Sequence, residues 1–513
     1  MISPFGRNDN INMNKETFYI TTPIYYVNDK PHVGHAYTTI AADVRARFER
    51  MRGKEVLFLT GTDENSQKNI EAAEKMGEPD IQKYLDTMSA LWQRTWDSLG
   101  ISNDDFIRTI EPRHHKTVEI FYKKVFENGD IYKGRYEGLY CVGCEAFKKE
   151  SDLAEGLCPD HKKAPQKIVE ENYFFKLSKY RDALLEYIGK HPEFIKPASR
   201  RNEILSYIRE FMEDVSISRQ SMKWGIPVPG DPEHKIYVWF DALVNYLSAV
   251  GYGVDEKKFE KFWPAIHLVG KDIIKFHVAL WPAMLMSAGL PLPKQVFANG
   301  FFTIDGQKMS KSLGNSIDPV EVATKFGNDA LRYALLREIN YGADGDFSLE
   351  RLATRYRTEL AGELGNLVNR VLAMAEKYCA SKVPAFSTGA TIKYLQYDQG
   401  LENFEFQLSI DAVWDAVREA NRFVDESAPW KLAKLGEEKR LAAVMYQLLE
   451  TLRHIGRMLL PLLPESGEKI LTELGDLEAE RSRSWDEGKT WGLLKEGAKL
   501  SKLAQLFPAL DDK

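Results

Sequence analysis

Cysteine, long apolar runs and a large excess of one charge are all scarce in this chain of 513 residues. Four cysteines are too few for a disulfide scaffold. No run of about 18 apolar residues occurs, so a membrane span is not expected. The polar N-terminus, MISPFGRNDNIN, has neither the apolar core of a secretory signal nor the character of a transit peptide. We therefore expect a cytoplasmic globular protein whose residues 1–14 form a disordered lead-in.

The bulk charge is balanced, with a net charge of −6 and an isoelectric point of about 6.0. A protein with this balance that binds nucleic acid must concentrate its positive charge locally, so the total neither supports nor excludes RNA. A single hydrophobic core does not extend over a chain of this length, and about two to four domains are expected.

A strand, a helix and a second strand open the ordered part of the chain. Residues Phe18 to Val27 are mostly apolar, β-branched or aromatic, as in a buried strand. Apolar residues then recur at helical spacing from Tyr37 to Met51, and Gly53 ends the helix. Glu55 to Thr60 forms the second strand. This βαβ order predicts an α/β fold with a Rossmann-like parallel sheet.

Further along the chain the pattern changes twice. A charged stretch interrupts the α/β pattern, which then returns with strand-like segments at Ile236–Phe240, Ala265–Val269 and Gln295–Gly300 and a helical stretch between Ile273 and Leu290. After Glu350 helical periodicity dominates, which predicts a helix bundle. Its strongest apolar stripe consists of Leu441, Met445, Leu448, Leu452, Ile455, Leu459 and Leu462.

We accordingly divide the chain into six segments. They are the lead-in (1–14), the first half of the nucleotide-binding fold (15–117), a connective insertion (118–235), the second half of that fold (236–318), a linking segment (319–355) and a helical domain (356–513).

Four potential zinc ligands lie within the insertion. Cys141-x-x-Cys144 is followed by Cys158-x-x-His161, and two close pairs separated by a loop can surround a tetrahedral Zn²⁺. Four protein ligands leave no position for water, so the site would be a structural zinc knuckle. His161 is the least certain ligand because the neighbouring Asp160 could replace it. The alternative is that the two pairs are coincidental and remain reduced thiols.

Two motifs far apart in the chain carry the chemistry. His32-Val33-Gly34-His35 lies at the first junction of strand and helix, where parallel sheets bind ligands. Lys308-Met309-Ser310-Lys311-Ser312 follows much later. Imidazoles can donate to phosphate oxygens, and ammonium groups can neutralise a departing pyrophosphate. Taken singly, the histidines could simply cap a helix and the lysines could form a solvated turn. In this order, the motifs indicate adenylyl transfer from ATP and resemble a class I aminoacyl-tRNA synthetase.

The resemblance is more specific over nearly the whole chain. From about Thr17 to the end the sequence resembles the methionyl-tRNA synthetases. The segments that carry the match are TTPIYYVNDKPHVGHAYTT, FLTGTDE, CVGCEAF, EENYFF, VWFDALVNY, HLVGKDIIKFHVALWPAML, FANGFFTIDGQKMSKSLGNSIDP, LGNLVNR and APWKLAK. The resemblance implies activation of methionine by ATP, with Mg²⁺ on the phosphates, and transfer to the terminal ribose of tRNA(Met). Many relatives append a C-terminal dimerising module that is not seen here, so a monomer is expected.

The resemblance also assigns residues to roles, each of which has a plainer alternative. The catalytic candidates are His32, His35, Lys308 and Lys311, and Gly270 and Asp272 join His32, His35 and Lys311 in binding ATP. The methionine pocket would comprise Ile24, Tyr26, Asp63, Trp239, Ala242, Leu243, Tyr246 and His277, with Asp63 on the α-ammonium and hydrogen bonds from Tyr26 and His277 near the sulfur. Asn366, Arg370 and Trp430 would read the CAU anticodon.

The plainer alternatives are that Asp272 caps a helix, that Trp239, Tyr246 and Trp430 are core aromatics, and that Asn366 and Arg370 brace neighbouring helices. Two departures from the family pattern bear on the pocket. Asn65-Ser66 stands where relatives often have His-Gly, and Leu243 where some have Pro.

Three competing functions remain open at this point. A sister class I synthetase would activate a different amino acid. A small-molecule nucleotidyltransferase would share the histidine motif but would need neither a zinc insertion nor a helical third of the chain. A catalytically silent tRNA-binding paralogue would bind tRNA without forming an adenylate, and such proteins tend to lose the histidines or lysines present here.

Overall fold

In a computed structural model, the described residues are 15–141, 146–148, 150–159, 162–220, 222–304, 306–309, 315–501 and 505–510. The predicted disordered lead-in, residues 1–14, lies outside these ranges.

The chain begins with alternating strands and helices, as its βαβ pattern predicts. These elements are β1 (Thr17–Tyr26), α1 (Val33–Met51), β2 (Glu55–Asp63), α2 (Gln67–Met76), α3 (Ile81–Ser98), β3 (Asp105–Arg108) and α4 (Pro112–Glu127). Gly53, with a φ of 84°, follows the end of α1 as expected.

The segment that follows is a smaller antiparallel structure. Its elements are β4 (Ile131–Cys141), β5 (Ala146–Lys148), β6 (Gln166–Phe175), α5 (Arg181–Lys190), β7 (Ile195–Lys196), α6 (Ala198–Glu210), β8 (Val215–Ser216), β9 (Ser218–Arg219), β10 (Pro227–Val228) and β11 (Asp231–Ile236). Strands β5, β4, β6 and β8 form one sheet in that order, while β10, β11 and β9 form another. Strand β7 pairs with the main sheet instead.

The α/β pattern then returns. Its elements are α7 (Val238–Ala242), α8 (Asn245–Ser248), α9 (Glu256–Phe262), β12 (Ile266–Gly270), a π-helix (Phe276–Leu280), α10 (Trp281–Ala288), β13 (Gln295–Asn299), β14 (Phe302–Ile304) and β15 (Gln307–Lys308).

The main sheet has the strand order β3-β2-β1-β12-β13-β7 and every pairing in it is parallel. The chain inserts β4 to β11 between its two halves, and β1 and β12 meet at the centre. The carboxyl ends of β1, β2, β12 and β13 therefore share one edge, which is where such sheets bind ligands. The predicted α/β fold class is confirmed.

The strand predicted at Ile236–Phe240 is wrong beyond its first residue. The strand ends at Ile236, and Val238–Ala242 is the short helix α7. A short apolar run fits a buried strand and a buried helix equally well, and its periodicity cannot separate them. The prediction of Ile273–Leu290 as helical fits better, with the π-helix continuing into α10.

The rest of the described chain is mainly helical. It comprises α11 (Pro319–Phe326), α12 (Asn328–Glu338), β16 (Gly345–Phe347), α13 (Leu349–Arg355), a π-helix (Tyr356–Gly365), α14 (Asn366–Cys379), α15 (Tyr394–Glu402), α16 (Phe406–Ser427), α17 (Pro429–Leu435), α18 (Glu438–Leu462), α19 (Pro464–Glu473), α20 (Leu477–Ser482) and α21 (Trp485–Gly488). The predicted apolar stripe forms the buried face of α18. No helix within the described ranges combines the length and apolar character needed to cross a bilayer.

Candidate functional site

A cavity of about 600 Å³ opens at the carboxyl edge of the main sheet. The sequence-predicted residues on its wall are Ile24, Tyr26, His32, His35, Asp63, Trp239, Ala242, Leu243, Tyr246, Gly270, Asp272 and His277. Met309 of the lysine motif also lines it. The cavity therefore brings together residues from both halves of the sheet.

The two histidines cap helix α1 and stack on each other. His32 is the N-cap, and its Nδ1 accepts the Gly34 backbone N–H at 3.1 Å. His35 Nδ1 accepts the backbone N–H of His32 at 3.2 Å. The two rings are 3.6 Å apart and nearly parallel. The capping interpretation and the ligand-binding interpretation are thus compatible, because capping uses only one nitrogen of each ring.

This capping fixes the form in which each ring faces the cavity. Since Nδ1 accepts in both rings, the neutral ring carries its proton on Nε2. Burial lowers the pKa of His32 to about 4. Burial, and then the neighbouring His32, lower the pKa of His35 well below its ordinary range. At neutral pH both rings are therefore uncharged N–H donors at the positive end of α1.

The lysine motif reaches the histidine motif through Met309. A Cβ placed on Gly34 would lie 3.2 Å from the Met309 methyl carbon and 2.9 Å from His32 Cε1. Beyond the motif, the backbone N–H of Val33 donates to Ile317 O at 3.0 Å. The backbone of Lys308 belongs to β15.

The two predicted ammonium groups of this motif fall outside what the structure describes. Lys311 lies outside the described residues, as does the side chain of Lys308. The approach of Met309 to Gly34 therefore locates the segment but neither of its charges.

Asp272 stands just beyond strand β12, at the cavity mouth. It is exposed, and a Cβ on Gly270 would lie 2.6 Å from its Oδ1. A side chain at Gly270 would therefore displace this carboxylate. Asp272 is not the N-cap of the π-helix that follows, a position taken by Lys275.

At the end of the cavity that the sequence predicts to hold methionine, the polar atoms of His277 are already engaged. Its Nδ1 is 3.0 Å from Ile273 O, to which it must donate. Its Nε2 therefore accepts from the Tyr246 hydroxyl at 2.8 Å. Burial lowers the pKa of His277 to about 4, so the ring is neutral. In this arrangement His277 has no N–H left for a substrate sulfur, contrary to our expectation from the sequence.

The walls around this pair are apolar and aromatic. The Trp239 and Phe276 rings stack 4.0 Å apart, and Leu243 and Ala242 are buried beside them. Lys68 Nζ lies 4.3 Å from the centre of the Tyr26 ring, so that ring carries a cation on one face. Asp63, at the carboxyl end of β2, also lines the cavity and is 3% exposed.

Sequence reasoning missed several residues around the site. Thr38 Oγ1 donates to Asn299 Oδ1 at 3.0 Å, and both residues line the cavity. The position of Asn299 at the carboxyl end of β13, beside β12, could have revealed it. The contact of Asn65 with Asp241, at 2.7 Å, was also missed, since the sequence gives no sign that the two side chains meet.

The predicted anticodon residues lie on helices α14 and α17 of the helical region. Asn366 is exposed on α14, whose Leu367, Val368 and Val371 are fully buried as predicted. Arg370 pairs with Asp425 of α16 at 2.7 Å. Trp430, on the next helix α17, is 39% exposed and is therefore not a buried core residue.

Two of the four predicted zinc ligands can be described. Cys141 ends β4 and Cys158 lies in a turn in which Lys162 N–H donates to Cys158 O at 2.8 Å. Both thiols are buried, yet neither belongs to the two hydrophobic cores that the described residues form. Cys144, His161 and the alternative ligand Asp160 lie outside the described residues. Within the described ranges alone there is no cluster of three or more ligating side chains.

Comparisons with known proteins agree with this geometry. The family profile described as "tRNA synthetases class I (M)" matches residues 18–168 and 151–372. A methionine–tRNA ligase of Thermotoga maritima is 45% identical to this chain, over 97% of this chain and 81% of the relative. One of Streptomyces coelicolor is 44% identical, over 97% of both chains.

Solved structures agree as well. The Mycobacterium tuberculosis methionyl-tRNA synthetase in complex with methionyl-adenylate matches with a TM-score of 0.91 and 39% identity, over 96% of this chain and all of that one (100%). The free form of that enzyme matches with a TM-score of 0.84 and 36% identity, over 96% of this chain and 98% of that one. Fold, cavity and sequence therefore agree that the chain belongs to the class I aminoacyl-tRNA synthetases and, within them, to the methionine–tRNA ligase family.

Proposed function

We propose that the cavity is the adenylylation centre of a methionine–tRNA ligase. In the reaction of this family, the methionine carboxylate attacks the α-phosphorus of ATP, the bond to pyrophosphate breaks and methionyl-adenylate forms. The methionyl group then passes to the 3′-terminal ribose of tRNA(Met), releasing AMP. The observation that carries this proposal is that the histidine motif, Met309 and the predicted methionine residues line one cavity.

His32 and His35 bind phosphate oxygens through their Nε2–H groups. A neutral donor held by a helix cap needs little rearrangement when charge develops on the phosphates. Lys308 and Lys311, on either side of Met309 in the sequence, neutralise the leaving pyrophosphate. Mg²⁺ carried in with ATP would add positive charge at the phosphates. Positioning and preorganised positive charge supply the rate, since no covalent enzyme intermediate is required.

Asp272 accepts from the ribose hydroxyls, and Gly270 leaves room for that carboxylate. Asp63 accepts from the methionine α-ammonium, a charge-assisted contact. Because Tyr246 donates to His277 and His277 donates to a backbone carbonyl, the side-chain end offers polarizable aromatic surface. Such a surface suits an unbranched thioether better than a polar side chain.

The tRNA is recognised at the helical end of the molecule. Asn366 and Arg370 lie on one face of α14 and contact base edges of the CAU anticodon. Trp430 stacks on an unpaired base. The exposure of Asn366 and of the Trp430 indole supports this arrangement, because both side chains are accessible to an RNA base.

Zinc is proposed as a structural ion held by Cys141, Cys144, Cys158 and His161. The burial of both described thiols supports it, since a structural zinc site shields its thiolates from water. Loaded zinc would hold the insertion together, and metal analysis should give about one zinc per chain. We further propose that the enzyme is cytoplasmic and monomeric. Sedimentation of the purified protein tests whether it is a monomer.

The deciding experiment is ATP–pyrophosphate exchange with each amino acid in turn. The proposal expects exchange with methionine and a large loss of activation rate in Lys311→Ala, with little change in methionine affinity. Exchange driven by another amino acid would identify a sister synthetase. Binding of tRNA without any exchange would instead identify a silent paralogue.

A further inference from the structure

A buried chain of hydrogen bonds joins the loop after β2 to helix α7. Asn65 Nδ2 donates to Asp241 Oδ2 at 2.7 Å and to Thr109 O at 3.3 Å. The other oxygen of Asp241 is 2.6 Å from His114 Nε2, and His114 Nδ1 is 2.9 Å from Ser248 Oγ. None of the five residues is more than 4% exposed. A buried network satisfied in this way holds its members in one arrangement.

The two ends of this connection belong to opposite sides of the cavity. The backbone N–H of Asn65 donates to Asp63 Oδ1 at 3.3 Å, so the position of Asn65 bears on the carboxylate proposed for the α-ammonium. Helix α7 carries Trp239 and Ala242, which line the side-chain end. The hydrogen bond from Asn65 to Asp241 therefore fixes the position of the Asp63 carboxylate relative to the wall that carries Trp239 and Ala242.

We propose that Asn65 is a positioning residue for methionine. Its side-chain amide, held by Asp241 and Thr109 O, fixes the backbone N–H that binds Asp63 and so aligns the Asp63 carboxylate with the substrate α-ammonium. This inference rests on the proposed role of Asp63. Asn65 itself touches neither substrate nor reacting atoms in this scheme.

The residue type matters because Asp241 requires a donor. Aspartate has nearly the shape of asparagine but, when ionised, would face Asp241 with an oxygen instead of an N–H. Histidine, by contrast, can present a ring N–H to Asp241.

The test compares Asn65→Asp with Asn65→His by KM and kcat for methionine and KM for ATP in pyrophosphate exchange. We expect Asn65→Asp to raise KM for methionine about tenfold, as loss of a buried hydrogen bond to a charged group would. Asn65→His should stay within about threefold of the wild type. KM for ATP should be unchanged in both. Asn172→Asp, at a buried position of the insertion, is the control for general destabilisation and should leave both constants unchanged.

A second readout isolates the ammonium. Inhibition by L-methioninol is compared with inhibition by 4-(methylthio)butan-1-ol, which lacks the amine. The preference for the amine should fall about tenfold in Asn65→Asp and persist in Asn65→His. If Asn65→Asp does not fold, Asn65→Ala removes the donor without adding a charge and gives the same comparison.

The outcomes distinguish a failure of the role proposed for Asp63 from a failure of the role proposed for Asn65. A wild type without any preference for the amine would overturn the role of Asp63 and this inference with it. A wild type with the preference and an Asn65→Asp variant that keeps it would overturn this inference alone. An equal rise of KM for methionine and ATP would also overturn it, because that pattern indicates a general structural role.

Discussion

At the scale of single residues, Gly34 controls the geometry of the histidine pair. An alanine Cβ there would lie 2.9 Å from the His32 ring and 3.2 Å from the Met309 methyl carbon. We expect Gly34→Ala to separate the stacked rings and lower the rate of methionine-dependent exchange by about tenfold to a hundredfold, with KM for methionine little changed. The measurement is the initial rate of ATP–pyrophosphate exchange.

Gly189 provides the control for this substitution. It lies in helix α5, where an added Cβ would meet no atom within 4 Å, so Gly189→Ala should leave the exchange rate unchanged. A Gly34→Ala enzyme as fast as the wild type would show that the ring stack does not matter for catalysis.

The buried, neutral His277 makes the fold sensitive to acid. Burial lowers its pKa from 6.5 to about 4, so as the pH falls below about 6.5 the unfolded chain binds a proton that the folded protein does not. Stability that is fully present above pH 6.5 is therefore lost as the pH falls toward 4, by about 2 to 3 kcal/mol at pH 4.5.

The variant His277→Gln cannot titrate in this range. We measure the free energy of unfolding by urea titration at pH 7 and at pH 4.5. Between these two pH values it should decrease by about 2 kcal/mol less in the variant than in the wild type. Glutamine can still accept from Tyr246, which limits other losses. The same decrease in both proteins would contradict a neutral His277.

At this scale the sequence indicated which residues meet at the cavity but not the directions of their atoms. His32 and His277 were predicted at the site because imidazole chemistry and the family pattern suggested them. That His277 donates to Ile273 O, and that Asn65 meets Asp241, depend on rotamers and on loops brought together by tertiary packing. No local pattern in the sequence encodes these contacts.

At the scale of elements, Arg332 on α12 contacts both helix α1 and helix α18 and so holds them together. Its Nη1 is 2.7 Å from Asp43 of α1, and it donates to Leu462 O and Pro461 O of α18 at 2.9 and 3.0 Å. Burial alone would raise the pKa of Asp43, but Arg332 and Arg47 outweigh it and lower the pKa to about 2. The pair therefore stays charged although both side chains are buried.

Replacing Arg332 by Met should destabilise the protein by about 3 to 5 kcal/mol, because Asp43 loses its main buried partner. Chemical denaturation followed by circular dichroism measures this change. The exposed pair of Arg440 with Glu437 offers a matched control, since Arg440→Met should change stability by less than about 1 kcal/mol. Equal effects of the two substitutions would mean that the buried pair does not fasten the helices.

The long periodic helix was predictable, whereas short apolar runs gave mixed results. The runs at Glu55–Thr60 and Ala265–Val269 are strands β2 and β12, but the run at Ile236–Phe240 is mostly helix. Strand β1 and helix α1 follow the prediction within a few residues, because β1 is a long apolar run and α1 repeats its helical period over several turns. The run around Val238 is too short to reveal its period, and it folds as α7 after Tyr237. The π-helix at Phe276–Leu280 has no sequence pattern of its own, and the sequence predicts it only as part of one longer helical stretch.

At the scale of the whole molecule, helix α1 connects the site to the helical region. Its first turn holds the histidine pair, and further along Arg45 donates to the carbonyl of Leu401 on α15 at 2.9 Å. The overall division into an α/β part and a helical part was predictable, since the change of period is visible in the sequence. The packing of α1 against the bundle was not, because it involves residues hundreds of positions apart.

This division predicts that tRNA recognition and adenylate formation can be separated by mutation. No residue of the helical region lines the cavity in the described part of the chain. Trp430, 39% exposed on α17, is proposed to stack on an anticodon base. We expect Trp430→Ala to lower kcat/KM for tRNA charging about tenfold or more, as loss of one base stack would, while methionine-dependent exchange stays unchanged. Leu395→Ala, at a 74% exposed apolar position on α15, should leave both reactions unchanged. If Trp430→Ala lowers exchange as much as charging, the indole supports the fold instead of the tRNA.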